Sequence, residues 1–220
     1  MKRVLMRLAA VVLPLVLVTG CSSAQAALSE TASAERVSIG FPEGFAASGT
    51  GEPNQTFTTT PEGERFSYEH ASISVSNEDH TVVVSLDQYD GVTLEQVRAY
   101  CEEQASSTPD QLQEMLQGDE FQQFSDTWHL DEGWYAQAGE AVSFGAPESV
   151  SLDGRDGFSV TTTWDLAFAT GGDPVPSTSR TYWIPVDDDS VGSVSVMGAD
   201  ADLEANRQVI DAMLASAQVS

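Results

Sequence analysis

Positive charge is scarce in this sequence. Among its 220 residues, nine lysines and arginines stand against 34 aspartates and glutamates, which gives a formal net charge of −25. Proteins that bind nucleic acid neutralise phosphates with clusters of lysine and arginine. The shortage of these residues therefore excludes a nucleic-acid partner.

Common catalytic and cofactor-binding motifs are missing as well. The chain has no G-x-S-x-G elbow, no P-loop, no G-x-G-x-x-G turn and no H-E-x-x-H motif, each of which places the reactive groups of a large enzyme class. We therefore expect no catalytic residue, no bound metal and no cofactor. Paired carboxylates that hydrolyse glycosides are defined by their spacing in the fold rather than in the sequence, so a hydrolase using acidic residues stays an alternative.

Cysteine is almost absent, since the chain contains only Cys21 and Cys101. Cys101 shares the apolar stripe of a predicted helix with Leu94, Val97 and Ala105. Two glutamates follow it directly, and their negative charge disfavours the thiolate that reacts. The pattern predicts a buried core thiol rather than a nucleophile.

The three histidines do not indicate a metal site. His80 lies at the predicted turn, and His70 lies in the middle of the strand before it, about five residues from the end of that strand. At about 3.4 Å per residue the two are roughly 17 Å apart, too far to share one ion. His129 could join only one of them. Each is expected to be a surface histidine or one with its own hydrogen-bond partner.

An acidic run, Asp187-Asp188-Asp189, precedes Ser190 between two predicted strands. Its carboxylates are suitable ligands for Ca²⁺, but the run lacks the glycine and the distal glutamate of an EF-hand loop. A solvated hairpin turn is the preferred interpretation. Cation binding by the acidic surface as a whole stays a further alternative.

The first recognisable segment is a secretory signal. Residues 1–20 begin with Lys2, Arg3 and Arg7 and continue as an apolar run from Leu8 to Val18. A charged start, an apolar centre and small residues at the end are typical of a signal peptide. The run is too short for a membrane span, which needs about 20 apolar residues.

The end of this segment, Val18-Thr19-Gly20-Cys21, resembles the lipobox of bacterial lipoproteins. The resemblance implies cleavage before Cys21 and a diacylglyceryl group on its thioether. Two acyl chains give lasting attachment where one gives only marginal binding. The expected location is therefore the outer face of the cytoplasmic membrane, with the membrane as a partner through the lipid anchor.

Behind the signal we predict two further regions. Residues 21–35 carry the lipidated cysteine and an Ala/Ser-rich stretch without apolar periodicity, which predicts a flexible tether. Residues 36–220 form one acidic globular domain. Because the three leading cations leave with the signal, the exported part keeps six arginines, no lysine and all 34 acidic residues, a formal charge of −28. Such a charge favours solubility and repulsion from anionic lipid.

Alternation of apolar and polar residues predicts the strands. Ala71, Ile73 and Val75 share one face, and a second strand from Thr81 to Gln88 completes a hairpin. Phe158 to Phe168 is the strongest strand, and its apolar face should lie on a core. Shorter strands are predicted at 37–41, 55–59, 142–144, 149–152, 179–184 and 192–197.

Capping signals predict three helices. Thr93 and Gln96 form a capping box, Thr108 and Pro109 begin a second helix that Gly118 ends, and a third helix spans about residues 202–217. Grouped strands with long connections then predict an α+β fold, a single domain with a mostly antiparallel sheet flanked by helices.

Several segments of this domain resemble PsbP-like domains of actinobacterial envelope lipoproteins. They are Val37-Ser-Ile-Gly-Phe-Pro-Glu-Gly44, the entry Leu152-Asp-Gly-Arg-Asp-Gly-Phe158, Thr181-Tyr-Trp-Ile184 and Val194-Ser-Val-Met197 before the last helix. The resemblance implies a central antiparallel sheet flanked by helices and a binding or accessory role without catalysis. The long stretch from Asp119 to Glu140 departs from that pattern.

That departing stretch contains the candidate partner-binding residues. Trp128, His129, Trp134 and Tyr135 combine aromatic rings with few charges, a composition typical of binding anchors. The alternative is that the rings fill the edge of the sheet as core. Taken together, the sequence predicts a non-enzymatic lipoprotein that binds an unknown envelope protein or ligand, with an envelope hydrolase and a surface cation-binding protein as alternatives.

Overall fold

The computed structural model describes residues 27–59, 65–107, 143–166 and 173–220. Within these ranges the chain forms strands and helices of an α+β domain. In chain order they are β1 (Leu28–Ala34), β2 (Val37–Pro42), β3 (Phe45–Ser48), β4 (Pro53–Thr59), β5 (Arg65–Asn77), β6 (Val82–Asp90), α1 (Leu94–Ser106), β7 (Ser143–Phe144), β8 (Glu148–Leu152), β9 (Arg155–Leu166), β10 (Val175–Pro185), β11 (Ser190–Ala199), α2 (Asp200–Ala205), α3 (Arg207–Ala215) and β12 (Gln218–Val219).

The strands form one large sheet and one small one. The nine-stranded sheet has the order β3-β5-β6-β11-β10-β9-β7, with β4 also paired to β5 and β8 also paired to β9. The three-stranded sheet has the order β1-β2-β12. All pairings are antiparallel, which confirms the predicted fold class.

One face of the large sheet carries the main core, and we call it the packed face. On β6 and β11, Val84, Leu86 and Val194 point to this side and are almost fully buried. The small sheet and α3 cover them, chiefly through Ile39 and Met213. Alternation places every second residue of a strand here, which is the pattern that the sequence showed.

The opposite face carries small polar residues, and we call it the hydroxyl face. One row of directly paired residues crosses four strands as Ser74, Ser85, Ser195 and Thr181. Ser74 and Ser85 are hydrogen-bonded at 3.0 Å, and Thr181 and Ser195 are hydrogen-bonded as well. In the described part of the chain, α1 is the helix that packs on this face.

Helix α1 begins at the predicted cap. The Thr93 side chain accepts from the Gln96 amide, and the Gln96 side chain accepts from the Thr93 amide at 2.8 Å. Its stripe of Leu94, Val97 and Cys101 packs on Phe158 and Val160 of β9. This small second core confirms that the apolar face of the Phe158 strand is buried.

The prediction of a tether up to residue 35 was wrong at its end. Leu28–Ala34 form β1, which pairs with β2 through a tight turn at Glu35, where φ is +51°. Ala32 and Ala34 are buried on the packed face. The small alanines at alternate positions of β1 fit against the neighbouring sheet. The Ala/Ser-rich composition of the segment, taken alone, resembles that of a linker. The globular domain therefore begins before residue 36.

The single C-terminal helix predicted for 202–217 is divided in two. Asn206 interrupts it with φ −101° and ψ 6°, and its side-chain amide donates to the Asp202 carbonyl at 2.9 Å. Asparagine side chains compete in this way with the helical hydrogen bonds of the backbone. The predicted apolar stripe is nevertheless present, with Ile210 and Met213 buried.

The C-terminus is fixed to the packed face by Arg155. Its guanidinium donates to the carbonyls of Pro185 at 3.1 Å, Val186 at 2.7 Å and Val219 at 3.0 Å. The Asp153 carboxylate accepts from the Val219 amide at 2.9 Å. These bonds hold β12 beside β2 and close the small sheet.

The other predicted strands are found, with longer bounds for most of them. The helix predicted from Thr108 to Gly118 and the end of the strand predicted up to Phe168 lie outside the described residues.

Candidate functional site

Four ring-bearing residues lie together at one end of the hydroxyl face, and we call them the aromatic surface: Tyr68, His70, Tyr89 and Trp183. His70 and Tyr89 are directly paired across β5 and β6 and stack with ring centroids 4.5 Å apart and planes 7° apart. The centroids of Tyr68 and Trp183 each lie 5.6 Å from that of Tyr89. All four residues are half-buried.

Strand order brings these rings together. Tyr68 and His70 belong to β5, Tyr89 belongs to β6, and Trp183 belongs to β10. Strand β11 lies between β6 and β10. Its Val191 and Ser193 face the same side and are almost fully buried, so the rings of Tyr89 and Trp183 meet at a buried floor.

A hydrogen-bonded pair of His70 and Asp87 lies at the base of the aromatic surface. Asp87 Oδ1 is 2.9 Å from His70 Nε2, and Asp87 Oδ2 accepts a hydrogen bond from Ser193 Oγ at 3.2 Å. A carboxylate accepts but does not donate, so His70 carries its proton on Nε2 in this contact. The Asp87 side chain is only 12% exposed, and its two partners compensate the loss of water.

This trio does not have the geometry of a serine hydrolase. In a catalytic triad, histidine stands between serine and aspartate and takes the serine proton. Here Asp87 stands between Ser193 and His70, and it is the aspartate rather than an imidazole nitrogen that accepts from the serine hydroxyl. The arrangement holds a carboxylate in place and does not activate a nucleophile.

Burial raises the pKa of Tyr89 well above its ordinary value of 10.0, with smaller contributions from the Asp87 carboxylate and Tyr68. The phenol is therefore neutral at physiological pH and keeps its hydrogen-bond donor. An aromatic surface above a buried carboxylate can hold a group by stacking, by C–H contacts with ring faces, or by attraction of a cation to the rings.

Cys101 has the inert character that the sequence predicted. It is buried against Phe158 and Val160. Burial raises the pKa of its thiol from 9.0 to about 11, an effect that Arg98 partly opposes and Glu102 reinforces. Since the thiolate is the reactive form, this thiol is neither a nucleophile nor a ready metal ligand.

The remaining histidine and aspartate candidates occupy separate places. His80 lies in the turn after β5, where its Nδ1 is 2.8 Å from Ser76 Oγ, a local partner of the kind expected. Asp187, Asp188 and Asp189 are exposed in the loop between β10 and β11, as a solvated turn should be. Within the described ranges, no group of three or more His, Cys, Asp or Glu side chains is placed to hold a metal ion.

The loop is tied to the small sheet through Arg36. The Arg36 guanidinium pairs with Asp187 and lies 3.7 Å from Asp90, and its amide donates to the buried Gln88 side chain at 2.9 Å. The hydrogen bond from Arg36 is the main cause that lowers the pKa of Asp187 from 3.8 to about 2. This is a structural ion pair that connects the loop to the turn between β1 and β2.

The predicted site residues lie outside the described residues. They are the lipidation residue Cys21 and the partner-binding candidates Trp128, His129, Trp134 and Tyr135. The aromatic surface was missed by sequence reasoning. A signal for it exists, because Tyr68, Tyr89 and Trp183 each continue the polar parity of a strand, but strand order decides whether such rings meet.

No helix in the described ranges is both long enough and apolar enough to cross a membrane. The fold and site so far define a mostly antiparallel α+β domain with an aromatic surface and no catalytic constellation among the described residues. Comparison with protein-family models gives no match, and comparison with curated proteins gives none either.

Several solved structures are similar to the chain, including the following three. The solution structure of CyanoP, the PsbP protein of the cyanobacterium Synechocystis, matches 92% of this chain and 99% of its own, with 9% identity and a TM-score of 0.43. A crystal structure from Bacteroides thetaiotaomicron matches 89% with 10% identity and a TM-score of 0.37, and this chain spans about half of it, 49%. The crystal structure of LpqN of Mycobacterium tuberculosis, involved in cell envelope biogenesis, matches 80% of this chain and 91% of its own, with 8% identity and a TM-score of 0.35.

A PsbP protein and a cell-envelope protein are thus among the structures that this chain resembles. Identities of 10% or less and TM-scores below 0.5 accompany all three likenesses. They describe similarity of fold alone.

Proposed function

We propose that this protein is a non-enzymatic lipoprotein on the outer face of the cytoplasmic membrane that binds a ligand or partner of the cell envelope through its aromatic surface. The single observation that carries the binding role is the half-buried group of Tyr68, His70, Tyr89 and Trp183 above Asp87. Rings with exposed edges and a buried floor are typical of recognition sites. The lipobox resemblance at Cys21 supports the anchor.

The non-enzymatic part of the proposal rests on the order of the polar trio. Ser193 is only 1% exposed and its hydroxyl donates to Asp87, and His70 contacts Asp87 rather than Ser193, so the serine has neither access to a substrate nor an imidazole base. A general base must be within hydrogen-bond reach of the proton that it removes. The same side chains serve well to fix a binding surface, because they hold its base rigid.

Cell fractionation tests the anchor. We expect the wild-type chain in the membrane fraction and the Cys21→Ala variant to remain unlipidated and to leave that fraction. Normal processing and membrane association of Cys21→Ala would refute lipid anchoring. This outcome would not affect the proposed binding role of the aromatic surface, which the sedimentation assay tests separately.

A sedimentation assay with isolated envelopes tests the aromatic surface. The assay uses the Cys21→Ala chain as parent, so that the anchor does not contribute. We expect Trp183→Ala and Tyr68→Ala to reduce envelope binding at least tenfold, because each removes a stacking ring. Tyr100→Ala is the matched control, since Tyr100 is 58% exposed on α1 and lies outside the aromatic surface.

Equal binding by Trp183→Ala and Tyr100→Ala would contradict the role of the aromatic surface. A Trp128→Ala arm tests the predicted segment from Trp128 to Tyr135 independently. If Trp128→Ala alone abolishes binding, the partner is bound by that segment instead.

A further inference from the structure

A second, separate groove lies where α1 meets the edge of the large sheet formed by β8 and β9. It has a volume of about 470 Å³, and its lining residues are Arg98, Ser149, Val150, Ser151, Asp156 and Gly157. A groove of this size accommodates a small molecule. None of these residues belongs to the aromatic surface.

Arg98 differs in its partners from Arg36, Arg155, Arg180 and Arg207. Arg36, Arg180 and Arg207 lie beside carboxylates, and Arg155 donates to three carbonyls. The guanidinium of Arg98 instead lies 4.4 Å from the centroid of the buried Phe158 ring. Among the described residues no carboxylate pairs with it, although the chain has 34 acidic residues.

The ring fixes the guanidinium and leaves its donors available. A cation over an aromatic face gains roughly 0.5–1 kcal/mol at exposed sites without using the N–H groups. A guanidinium has five N–H donors in a planar fork that matches carboxylate or phosphate oxygens. Arg98 is therefore preorganised to bind an anionic group.

Strand pairing turns three more polar side chains toward the same groove. Ser151 is directly paired with Asp156, and Ser149 is directly paired with Phe158. Directly paired residues of antiparallel strands share a face. The two serine hydroxyls and the exposed Asp156 carboxylate therefore lie on the side of the sheet where α1 carries Arg98.

Gly157 allows the strands to approach closely beneath this groove. A side chain at this position would place its Cβ 2.0 Å from the Trp183 carbonyl oxygen of β10. The floor of the groove is thus backbone that cannot accept a larger residue without movement of β10.

The overall charge restricts the ligand. A body with a formal charge of −28 repels small anions, since its field acts before contact. A molecule with one anionic and one cationic group carries no net charge and escapes this repulsion. Its cationic group can pair with Asp156 while its anionic group pairs with Arg98.

We propose that this groove binds a small zwitterion of the amino-acid class, with its carboxylate on Arg98, its ammonium group on Asp156 and hydrogen bonds from Ser149 and Ser151. The groove shares none of its lining residues with the aromatic surface, although Trp183 and the Phe158 beneath Arg98 are directly paired neighbours. It gives the exported domain a second binding function, for a soluble compound.

Titration calorimetry of the full chain in detergent tests the site. The probes are glycine, L-alanine, D-alanine and glycylglycine, with acetate and methylammonium as singly charged comparators at constant ionic strength. We expect at least one zwitterion to bind in the millimolar range or better, and at least tenfold more tightly than either comparator. Arg98→Gln and Asp156→Asn should each weaken it about tenfold or more, the loss of one charge-assisted contact.

Control variants separate the groove from general charge and from folding. Arg207→Gln and Asp188→Asn make the same charge changes elsewhere and should bind as the wild type does. Ser151→Trp fills the groove without touching Arg98 and should abolish binding while the thermal transition is kept. Absence of heat with every zwitterion up to about 10 mM, equal binding of acetate, or binding unchanged in Arg98→Gln would each overturn the proposal.

Discussion

The two faces of the large sheet follow the same alternation but have opposite compositions. The packed face presents Val84, Leu86 and Val194 to the small sheet and α3, and these side chains are almost fully buried. The hydroxyl face presents serines, a threonine, Asp87 and the aromatic surface. Stability is therefore concentrated on one face, which leaves the other face able to carry binding groups. The predictions below test this division.

The largest contrast is expected between two neighbours on β6. Leu86→Ala removes a fully buried side chain from the packed face and should lower the free energy of unfolding by about 2–5 kcal/mol. Ser85→Ala removes one hydrogen bond, to Ser74, from the hydroxyl face and should cost about 1 kcal/mol. Denaturant unfolding of both variants measures the difference, and similar costs would break the comparison.

The next largest effect concerns the bonds that close the packed face. Arg155→Ala removes three donors from the carbonyls of Pro185, Val186 and Val219, and should cost about 2–3 kcal/mol of unfolding free energy. Arg207→Ala removes an exposed pair with Glu204 and should change it by less than about 0.5 kcal/mol. Equal thermal midpoints for the two variants would show that Arg155 does not secure β12.

A smaller change in unfolding free energy is expected at alkaline pH. Because the pKa of Tyr89 is raised in the folded protein, the unfolded chain loses the phenol proton first, and stability falls as pH rises above 10.0. The decrease for one proton is at most about 1.4 kcal/mol per pH unit. Tyr89→Phe should flatten this decrease in a series of unfolding curves.

Tyr182→Phe is the matched variant on the packed face. Burial also raises the pKa of Tyr182, but the neighbouring Arg180 opposes the rise. Its removal should therefore flatten the alkaline decrease less than Tyr89→Phe does. A larger effect for Tyr182→Phe would show that the tyrosine with the more strongly raised pKa lies on the packed face, which contradicts this prediction.

The smallest change in unfolding free energy is expected at acidic pH. The pKa of Asp187 is lowered to about 2 by Arg36, so its contribution is complete above 3.8 and is lost as pH falls toward about 2. The group is exposed, and the change is correspondingly small. Asp187→Asn should make the unfolding free energy, measured by denaturant unfolding at several pH values, fall less steeply as pH decreases. Asp188→Asn, whose side chain does not pair with Arg36, should leave that decrease unchanged.

The sequence predicted what depends on local pattern. The alternation of Ala71, Ile73 and Val75 gave a hairpin, the Thr93 capping box began α1, and the stripe of Cys101 was buried as expected. These features depend on residues within a few positions of one another. Their physical causes, side-chain periodicity and end capping, are visible in a short window.

Other features depend on partners far away in the chain. The alanines of β1 gain their burial only when β2 and the large sheet are in place. Tyr89 and Trp183 meet because β11 inserts between β6 and β10, a pairing across more than one hundred residues. Local pattern does not fix such pairings.

The early start of β1 also sets how far the domain can travel. With a lipid on Cys21, seven residues of chain lead to Leu28, and a fully extended chain of that length spans at most about 25 Å. The small sheet, which contains β1, is then the part of the domain nearest to the membrane. The proposed lipid anchor would thus confine both proposed binding sites to the neighbourhood of the membrane surface.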